Sequence, residues 1–483
     1  MDFQTISSVI KMNKIFYLIT VVIYIYNLPK NCLSQSLAVD NHLKIISPKI
    51  LISIINQENL DNQQELNLIS IAQGKLLSTK GAFDFILDSE WKSYSNEKDY
   101  SELDTNLTYP TPILGIDLWA GHRKTSGDLP SYWEEGATAN KGEISIGTKI
   151  PLLQGLILDK RRANFWQSEF KLSAQKKQYD QKYIEIVKEA LNLYFDWALL
   201  EKKQLIASNL LFMSQQRASW LDLKVKAGSI ALFEKEDNDR TIFQRKSALL
   251  DIQNKYQQSW MSLLLFINGY SSLDQSPKFY TASNLGTIMD IEILNVEDWK
   301  SKALGQRNDF LSLNDLIEAQ KISINLAEQE YLPQLNIKSE MVKNQGGTQI
   351  NEKDDYRISI NFEMPLQLRE ARGKYLSAKA EHDNLQLKKK FFQQKIENSI
   401  MASYLDFENI KSRLLIMQEE VALALKLEKG EQRRFNLGDS NMVILNLREQ
   451  ATAEAQMKYQ EMLVALWKTK IDLYSLAGEL PDF

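Results

Sequence analysis

The chain has 483 residues, of which only 19 are glycine and 10 proline, roughly half the usual combined share of about 12%. So few turn residues exclude compact α/β or all-β domains with a turn every dozen positions and point to long helices. Fifty-eight basic against 62 acidic residues leave a net charge of −4, without the excess of a nucleic-acid binder, and 44% hydrophobic content excludes disorder.

Lys11 and Lys14 precede an apolar run from Ile15 to Tyr26, followed by Pro29, Lys30 and Ser34-Gln35-Ser36. These are the three parts of an export signal, expected over residues 1–36, with Met12 an alternative start. The apolar core is too short for an anchor, which needs about 20 residues. Cys32 is the one cysteine and reads as part of the leader, with a lipid-acceptor cysteine as the alternative, while His42, His122 and His382 are scattered. No metal, nucleotide or thiol motif occurs, so neither a cofactor nor an enzyme is expected. Later apolar stretches, Ile50 to Ile55 and Leu263 to Ile267, are too short for a transmembrane helix. An exported chain of this kind can meet a membrane again only as a β-barrel, in which every backbone polar group is satisfied.

Residues 48–81 have a helical pattern and lead into two candidate strand regions, Phe83 to Tyr94 and Ile113 to His122, so that either this half has an extra strand or one of the two belongs to a long external loop. Ile144, Ile146, Thr148 and Ile150 then alternate with polar residues up to Pro151, as in a strand with one apolar face. From residue 154 to 227 a helix carries two stripes, Ile184-Val187-Leu191-Tyr194-Ala198 and Ile186-Ala190-Leu193-Trp197-Leu200. Two stripes imply two helical neighbours, as in a ring of helices. The helix stops at Gly228, and a returning helix is expected over 229–268, then an aperiodic linker at 270–295 and a helix over 296–331. Leu335, Ile337 and Met341, and later Ile358, Ile360, Phe362 and Met364, alternate as strands on either side of a turn. A second long helix, 367–437, repeats Ile400, Phe407, Leu414 and Val421 every seventh residue and stops at Gly438, before a helix over 439–477.

The halves correspond in register. Tyr194-Phe195-Asp196-Trp197 aligns with Tyr404-Leu405-Asp406-Phe407 and Gly228 with Gly438, both at an offset of 210, and Pro151-Leu152 aligns with Pro365-Leu366 at 214. An internal duplication predicts such offsets, placing one unit at 37–269 and another at 296–480, joined by 270–295. Each long helix would be a rod on the order of 110 Å. The shorter helices match that length in end-to-end pairs, 229–268 with 296–331 and 439–477 with 48–81. Trp91, Tyr94, Tyr109, Trp119, Tyr132 and Trp133 suit either an interfacial aromatic girdle or ordinary packing. Asp196 and Asp406 are expected in inter-helix contacts rather than in catalysis.

Leu332-Pro333-Gln334-Leu335, Pro151-Leu152, Pro365-Leu366, Arg161-Arg162-Ala163, Arg434-Phe435-Asn436-Leu437-Gly438-Asp439-Ser440 and the endings Ile267-Asn268-Gly269 and Leu476-Ala477-Gly478 stand in the order of the TolC-like outer-membrane efflux family, which the chain resembles from about residue 48 to 480. The resemblance implies a mainly α protomer with a β-barrel portion. Three chains would each give four strands to a twelve-stranded barrel in the outer-membrane lipid of a Gram-negative bacterium, and helical rods to a periplasmic tunnel. It implies a homotrimer partnered by a periplasmic membrane-fusion adaptor and an inner-membrane RND or ABC pump, in tripartite efflux or type I secretion, without nucleic acid. A periplasmic structural or adaptor coiled-coil protein is the alternative.

On the same resemblance the docking tips are Gly228 with Ser229, and Gly438 with Asp439 and Ser440, all expected to be exposed. Family members often narrow the entrance with carboxylates shortly after the second glycine. Here Ile444, Asn446 and Leu447 stand in that stretch, so an acidic gate is not expected at that tip. After Gly228 come Glu234, Glu236 and Asp237, which would attract cations around a narrow axis or form a solvated helix face. Lys388-Lys389-Lys390 reads as a solvated face.

Overall fold

The computed structural model describes residues 44–58, 60–95, 99–127, 137–267, 280–282, 293–346 and 355–481. The expected export signal with Cys32, as well as His42, Tyr132, Trp133, the ending at Gly269 and most of the linker 270–295, lie outside them. By its contacts the chain divides into residues 1–44 and 45–483, and the second unit is described below.

Its elements are α1 (Pro48–Glu58), α2 (Leu60–Lys80), β1 (Ile86–Tyr94), β2 (Tyr100–Pro110), β3 (Asp117–Gly127), β4 (Glu143–Pro151), α3 (Lys160–Lys226) and α4 (Leu232–Leu264). There follow α5 (Val296–Gln306), α6 (Asn308–Gln329), β5 (Gln334–Asn344), β6 (Asp355–Glu363), α7 (Arg369–Leu437) and α8 (Met442–Ala477). With 67 and 69 residues, α3 and α7 are rods of about 100 Å. The stripes of α3 are both inside: Val187, Ala190, Leu191, Tyr194, Trp197 and Ala198 are buried completely. Burial of each large side chain contributes about 1.5–3 kcal/mol.

The helices form four columns. Near the sheet α3 packs between α2 and α6, and α6 also packs on α7; towards the other end α3 packs between α4 and α8, and α8 on α7. Thus α4 shares a column with α2, and α8 with α6. This corrects the pairing expected from summed lengths, because lengths alone do not say on which side of a rod each partner lies. The columns meet in an aromatic waist, where Trp197 stacks on Tyr256 at 5.9 Å, Phe195 stacks on Trp467 at 5.8 Å, and Trp299 meets Tyr474 edge-on at 5.0 Å.

The expected single helix 296–331 is broken at Arg307, whose ψ of 111° is extended and whose guanidinium bonds Asp309 at 2.7 Å. The break lets the end of α8 abut the chain there. Gly478 has φ of 81°, and any Cβ on it would lie 2.8 Å from Arg307 Cα. The helix expected over 48–81 is likewise two helices, α1 and α2.

Six strands form one antiparallel sheet in the order β1-β2-β3-β4-β5-β6, where the sequence patterns mark five and the resemblance implies four. The missed strand is β2, whose apolar side reads Ser101, Leu103, Thr105, Leu107 and Tyr109: small hydroxyl residues interrupt the alternation that betrays the other strands. Two three-residue strands, Lys44–Ile46 and Tyr280–Ala282, and a short 3-10 turn, Gly81–Phe83, complete the inventory of the described residues.

Candidate functional site

The sheet has two chemically distinct faces. Register pairs Leu87 with Leu107 and Trp91 with Leu103, Leu107 with Ala120 and Tyr109 with Leu118, Ala120 with Ile146 and Ile146 with Met341. It pairs Ile337 with Ile360 and Leu335 with Phe362. One face is therefore mainly apolar across all six strands, with His122, Lys124 and Lys343 on it at the ends of β3 and β5, and it is bare: Leu87 is 71%, Ile146 64% and Ile358 72% exposed. The opposite face carries Asp88, Glu90, Glu102 and Asp104 on β1 and β2, with Lys92 among them and bonded to Glu90 at 2.7 Å. Across the other strands it carries Arg123 bonded to Glu143 at 2.8 Å, and Arg357 3.8 Å from both Glu143 and Glu340.

The aromatic candidates divide between these faces. Trp91 and Tyr109 lie on the apolar side, the latter stacked on Phe85 at 4.6 Å. Tyr94, stacked on Tyr100 at 4.5 Å, and Trp119 lie on the polar side. Trp119 lies across Gly147, where any Cβ would meet the indole, and under the Lys338 ammonium at 4.7 Å.

The Arg161-Arg162-Ala163 segment anchors the sheet to α3. Asp159 caps the helix by accepting the Arg162 amide at 2.9 Å, and the Arg162 guanidinium reaches Asp159 at 3.0 Å and the Gly155 carbonyl at 2.5 Å. Arg161 bonds Asp117 of β3 at 2.8 Å. Ala163 is buried completely.

At the far end the two tips are built alike. Gly228 and Gly438 have φ of 69° and 84°. Gly228 N–H donates to the Val225 carbonyl and Ser229 N–H to Lys224, as Gly438 N–H does to Phe435 and Asp439 N–H to Arg434. This is the Schellman ending, which needs a left-handed residue. Ser229 and Asp439 are exposed, as expected. Ser440 is not: it is half-buried and its hydroxyl is held by the buried Glu431. Asp222 ties the first tip together through Lys226 at 2.8 Å and Lys235 at 2.6 Å. Those hydrogen bonds hold its carboxyl down at about 2.

Of the entrance candidates, Asp237, Asn446 and Leu447 line one groove of about 600 Å³ between α4 and α8. Asp237 is 3.3 Å from Arg240. Glu234, in the first turn of α4, is half-buried, Glu236 is exposed, and Ile444 is 38% exposed. Asn446 belongs to something the sequence reading missed. Its side-chain oxygen accepts from Arg217 at 2.7 Å, and Arg217 with Arg245 clasps Glu449, which is only 2% exposed. Arg245 also donates to the Leu210 carbonyl at 2.8 Å. Burial pushes the Arg245 pKa down against the opposing pull of Glu449, and burial raises that of Glu428 on α7. A signal for this triad was available: Leu210, Ser214, Arg217 and Leu221, and Met442, Leu445, Glu449 and Thr452, are buried stripes at helical spacing, with a charge at a core phase in each.

Asp196 meets Lys468 of α8 at 2.6 Å, an inter-helix contact as expected, whereas Asp406 is exposed. Among the described residues, no group of acidic, histidine and cysteine side chains could hold a metal ion, and no helix is long and apolar enough to cross a membrane.

The profile of the outer membrane efflux protein family matches residues 112–269. No curated protein matches in sequence. Among solved structures, the CusC channel superposes with a TM-score of 0.68 at 14% identity, covering 94% of this chain and 96% of its own. VceC, an outer membrane protein of Vibrio cholerae, gives 0.65 at 14% identity over 89% and 96%. The open MtrE outer membrane channel of Neisseria gonorrhoeae gives 0.66 at 10% identity over 89% of each chain. The resemblance to the TolC-like efflux family thus holds in sequence over 112–269 and in fold over nearly the whole chain.

Proposed function

We propose that this chain is the protomer of an outer-membrane channel-tunnel, a homotrimer that conducts small molecules, ions or peptides outward for a tripartite efflux or type I secretion system. The observation that carries this reading is the bare apolar face of a six-stranded sheet joined directly to helical rods of about 100 Å. Strands of 9 to 11 residues match the 9–11 that a tilted strand needs to cross the hydrocarbon layer, and lipid is the solvent in which such a face is at rest.

The protomer's flanks support assembly. Leu387, Phe391, Leu405, Leu423 and Leu427 are exposed along α7, and Leu66, Leu77, Phe243 and Leu250 along α2 and α4 on the other side. Two different flanks pairing head to tail close a ring, and a single sheet of this size does not enclose a channel by itself. Within that assembly residues 1–36 are the export signal, and 37–269 and 296–480 are duplicated units joined by 270–295. The tips at Gly228, Ser229, Gly438 and Asp439 dock the membrane-fusion adaptor, which links them to an RND or ABC pump. Glu234 and Asp237 attract cations at the entrance, beside Ile444 and Leu447. The chain's work is conduction, without covalent chemistry.

Fractionation and mass measurement test the reading. Sedimentation with outer membranes and a detergent-solubilised mass of three chains are expected, with ion conductance in planar bilayers. A soluble periplasmic monomer would instead favour a structural or adaptor coiled-coil protein. For the entrance, Glu234→Gln with Asp237→Asn is expected to lower cation preference in bilayer recordings, and unchanged selectivity would remove that assignment.

A further inference from the structure

We infer that the hairpin β1–β2 is part of the membrane wall, so that three copies close a barrel of eighteen strands, with an acidic inner surface, rather than one of twelve. This rests on the trimeric channel proposed above. It departs from that family's pattern, and the matched family segment begins at residue 112, after the hairpin ends.

Three observations carry it. First, the hairpin is continuous with the rest of the sheet: β2 pairs with β3 over 11 residue pairs, and its faces keep the same sense, Leu87 and Leu107 on the bare apolar side and Asp88 and Asp104 on the polar side. A loop lying in water would have no reason to present Leu87, Trp91, Leu103 and Leu107 on one exposed side. Second, β3 is paired on both sides, so it offers no edge; the free edges are β1 and β6. They continue the lateral helices of the wall, because α2 leads into β1 and β6 leads into α7, while the helix order α2-α3-α6-α7 runs in the same sense as the strands. A neighbour that meets α7 therefore brings its β1 to β6. Arg357, beside Asp355 on the polar side of β6, then faces a strand whose polar side carries Asp88, with Glu90 already paired to Lys92 at 2.7 Å, so that Arg357 and Asp88 supply one opposite-charge pairing.

Third, the widths agree. Four helical columns at about 8–10 Å need roughly 32–40 Å of wall per protomer. A strand at about 4.8 Å spacing, tilted by about 35–45°, takes up roughly 6–7 Å of circumference. Six strands fit that width. An eighteen-stranded barrel has porin width.

Disulfide trapping in full-length trimers lacking Cys32 tests the strand order. Single cysteines at Ser89 or Trp91 on β1 are combined with cysteines at Tyr356, Ile358 or Ile360 on β6, and a parallel set places the first cysteine on β3 at Leu118 or Ala120. Oxidation is expected to give covalent trimers with at least one β1–β6 pair and none with the β3–β6 pairs. Trimers cross-linked through β3–β6 instead would show twelve strands and overturn the inference while leaving the channel intact. Absence of membrane-embedded trimers in the unmodified protein would overturn both. As an independent readout, Asp88→Asn with Glu90→Gln, Glu102→Gln and Asp104→Asn should move the cation-to-anion permeability ratio toward unity; an unmoved ratio would count against an acidic wall.

Discussion

The two ends of this molecule invert one another. At the sheet, Leu87, Ile146 and Ile358 are bare and charges such as Arg123 and Glu143 pair on the opposite face; near the tips Glu449, Arg217 and Arg245 are buried and Leu223, Phe233 and Leu447 are exposed among them. One chain of net charge −4 holds both, so the difference lies in what surrounds each end. A lipid-facing wall keeps apolar groups outside, whereas a water-facing helical tip can keep a charged triad only where its partners satisfy it completely.

The largest expected effect breaks the buried end. Glu449→Gln strands two buried guanidinium groups, and removal of one partner from such a cluster costs about 3–5 kcal/mol. Thermal unfolding should show the loss, and α4 should separate from α8 first because Arg245 and Glu449 join them. Replacing the triad together, Arg217→Met with Arg245→Met and Glu449→Leu, is expected to restore or exceed the original stability, since no orphaned charge remains. A triple variant as unstable as the single one would mean that the triad is worth more than its desolvation.

A charge placed on the bare face tests the other end. Ile358→Arg on β6 should cost about 2–4 kcal/mol in lipid, read as weaker folding into vesicles, with little change in detergent-free secondary structure. Leu107→Arg on β2 should cost a similar amount if the hairpin lies in the wall, and close to nothing if it lies in water. Ser359→Ala, on the polar face of the same strand, serves as the control and should stay within about 0.5 kcal/mol.

Much of this contrast was legible in the sequence. Alternation at Ile144, Ile146 and Ile150 and at Ile358, Ile360 and Phe362 disclosed the strands they belong to, and the twin stripes around Trp197 disclosed two neighbours for α3. Gly228 and Gly438 marked both tips because a left-handed residue leaves glycine the least strained choice. What stayed hidden depended on partners distant in the chain. Thr105 and Ser101 read as polar until register sets them beside Ser89 and Ser126, and Ser440 reads as exposed until Glu431, nine residues back on α7, takes its hydroxyl. Arg307 gives no helix-breaking signal of its own; its extended backbone stands where Gly478, distant in the chain, comes close to it.

The tips sharpen the comparison at lower cost, because they should yield to backbone strain alone. Gly438→Ala meets open space, with nothing within 4 Å of the added Cβ, so only the left-handed conformation at φ of 84° opposes it, by about 1–2 kcal/mol. Gly478→Ala adds a collision with Arg307 backbone to the same strain and should cost more in a thermal melt. Equal losses at the two positions would mean that the junction of α8 with Arg307 relaxes freely.

The smallest effect is electrostatic and depends on pH. Asp222, half-buried at the first tip, has its carboxyl held at about 2 by hydrogen bonds from Lys226 and Lys235. A carboxylate with a depressed pKa binds fewer protons folded than unfolded. Its contribution is therefore complete above the unfolded value near 3.8 and is lost as pH falls through about 2. Asp222→Asn should loosen the Gly228 turn slightly at neutral pH, seen as faster amide exchange at Ser229, and the difference from the parent protein should shrink between those two values. Solvent screening keeps it small, and high salt should reduce it further. The triad around Glu449, shielded from both, should respond to neither, so a salt-insensitive Asp222 would show that this tip is more enclosed than its exposure indicates.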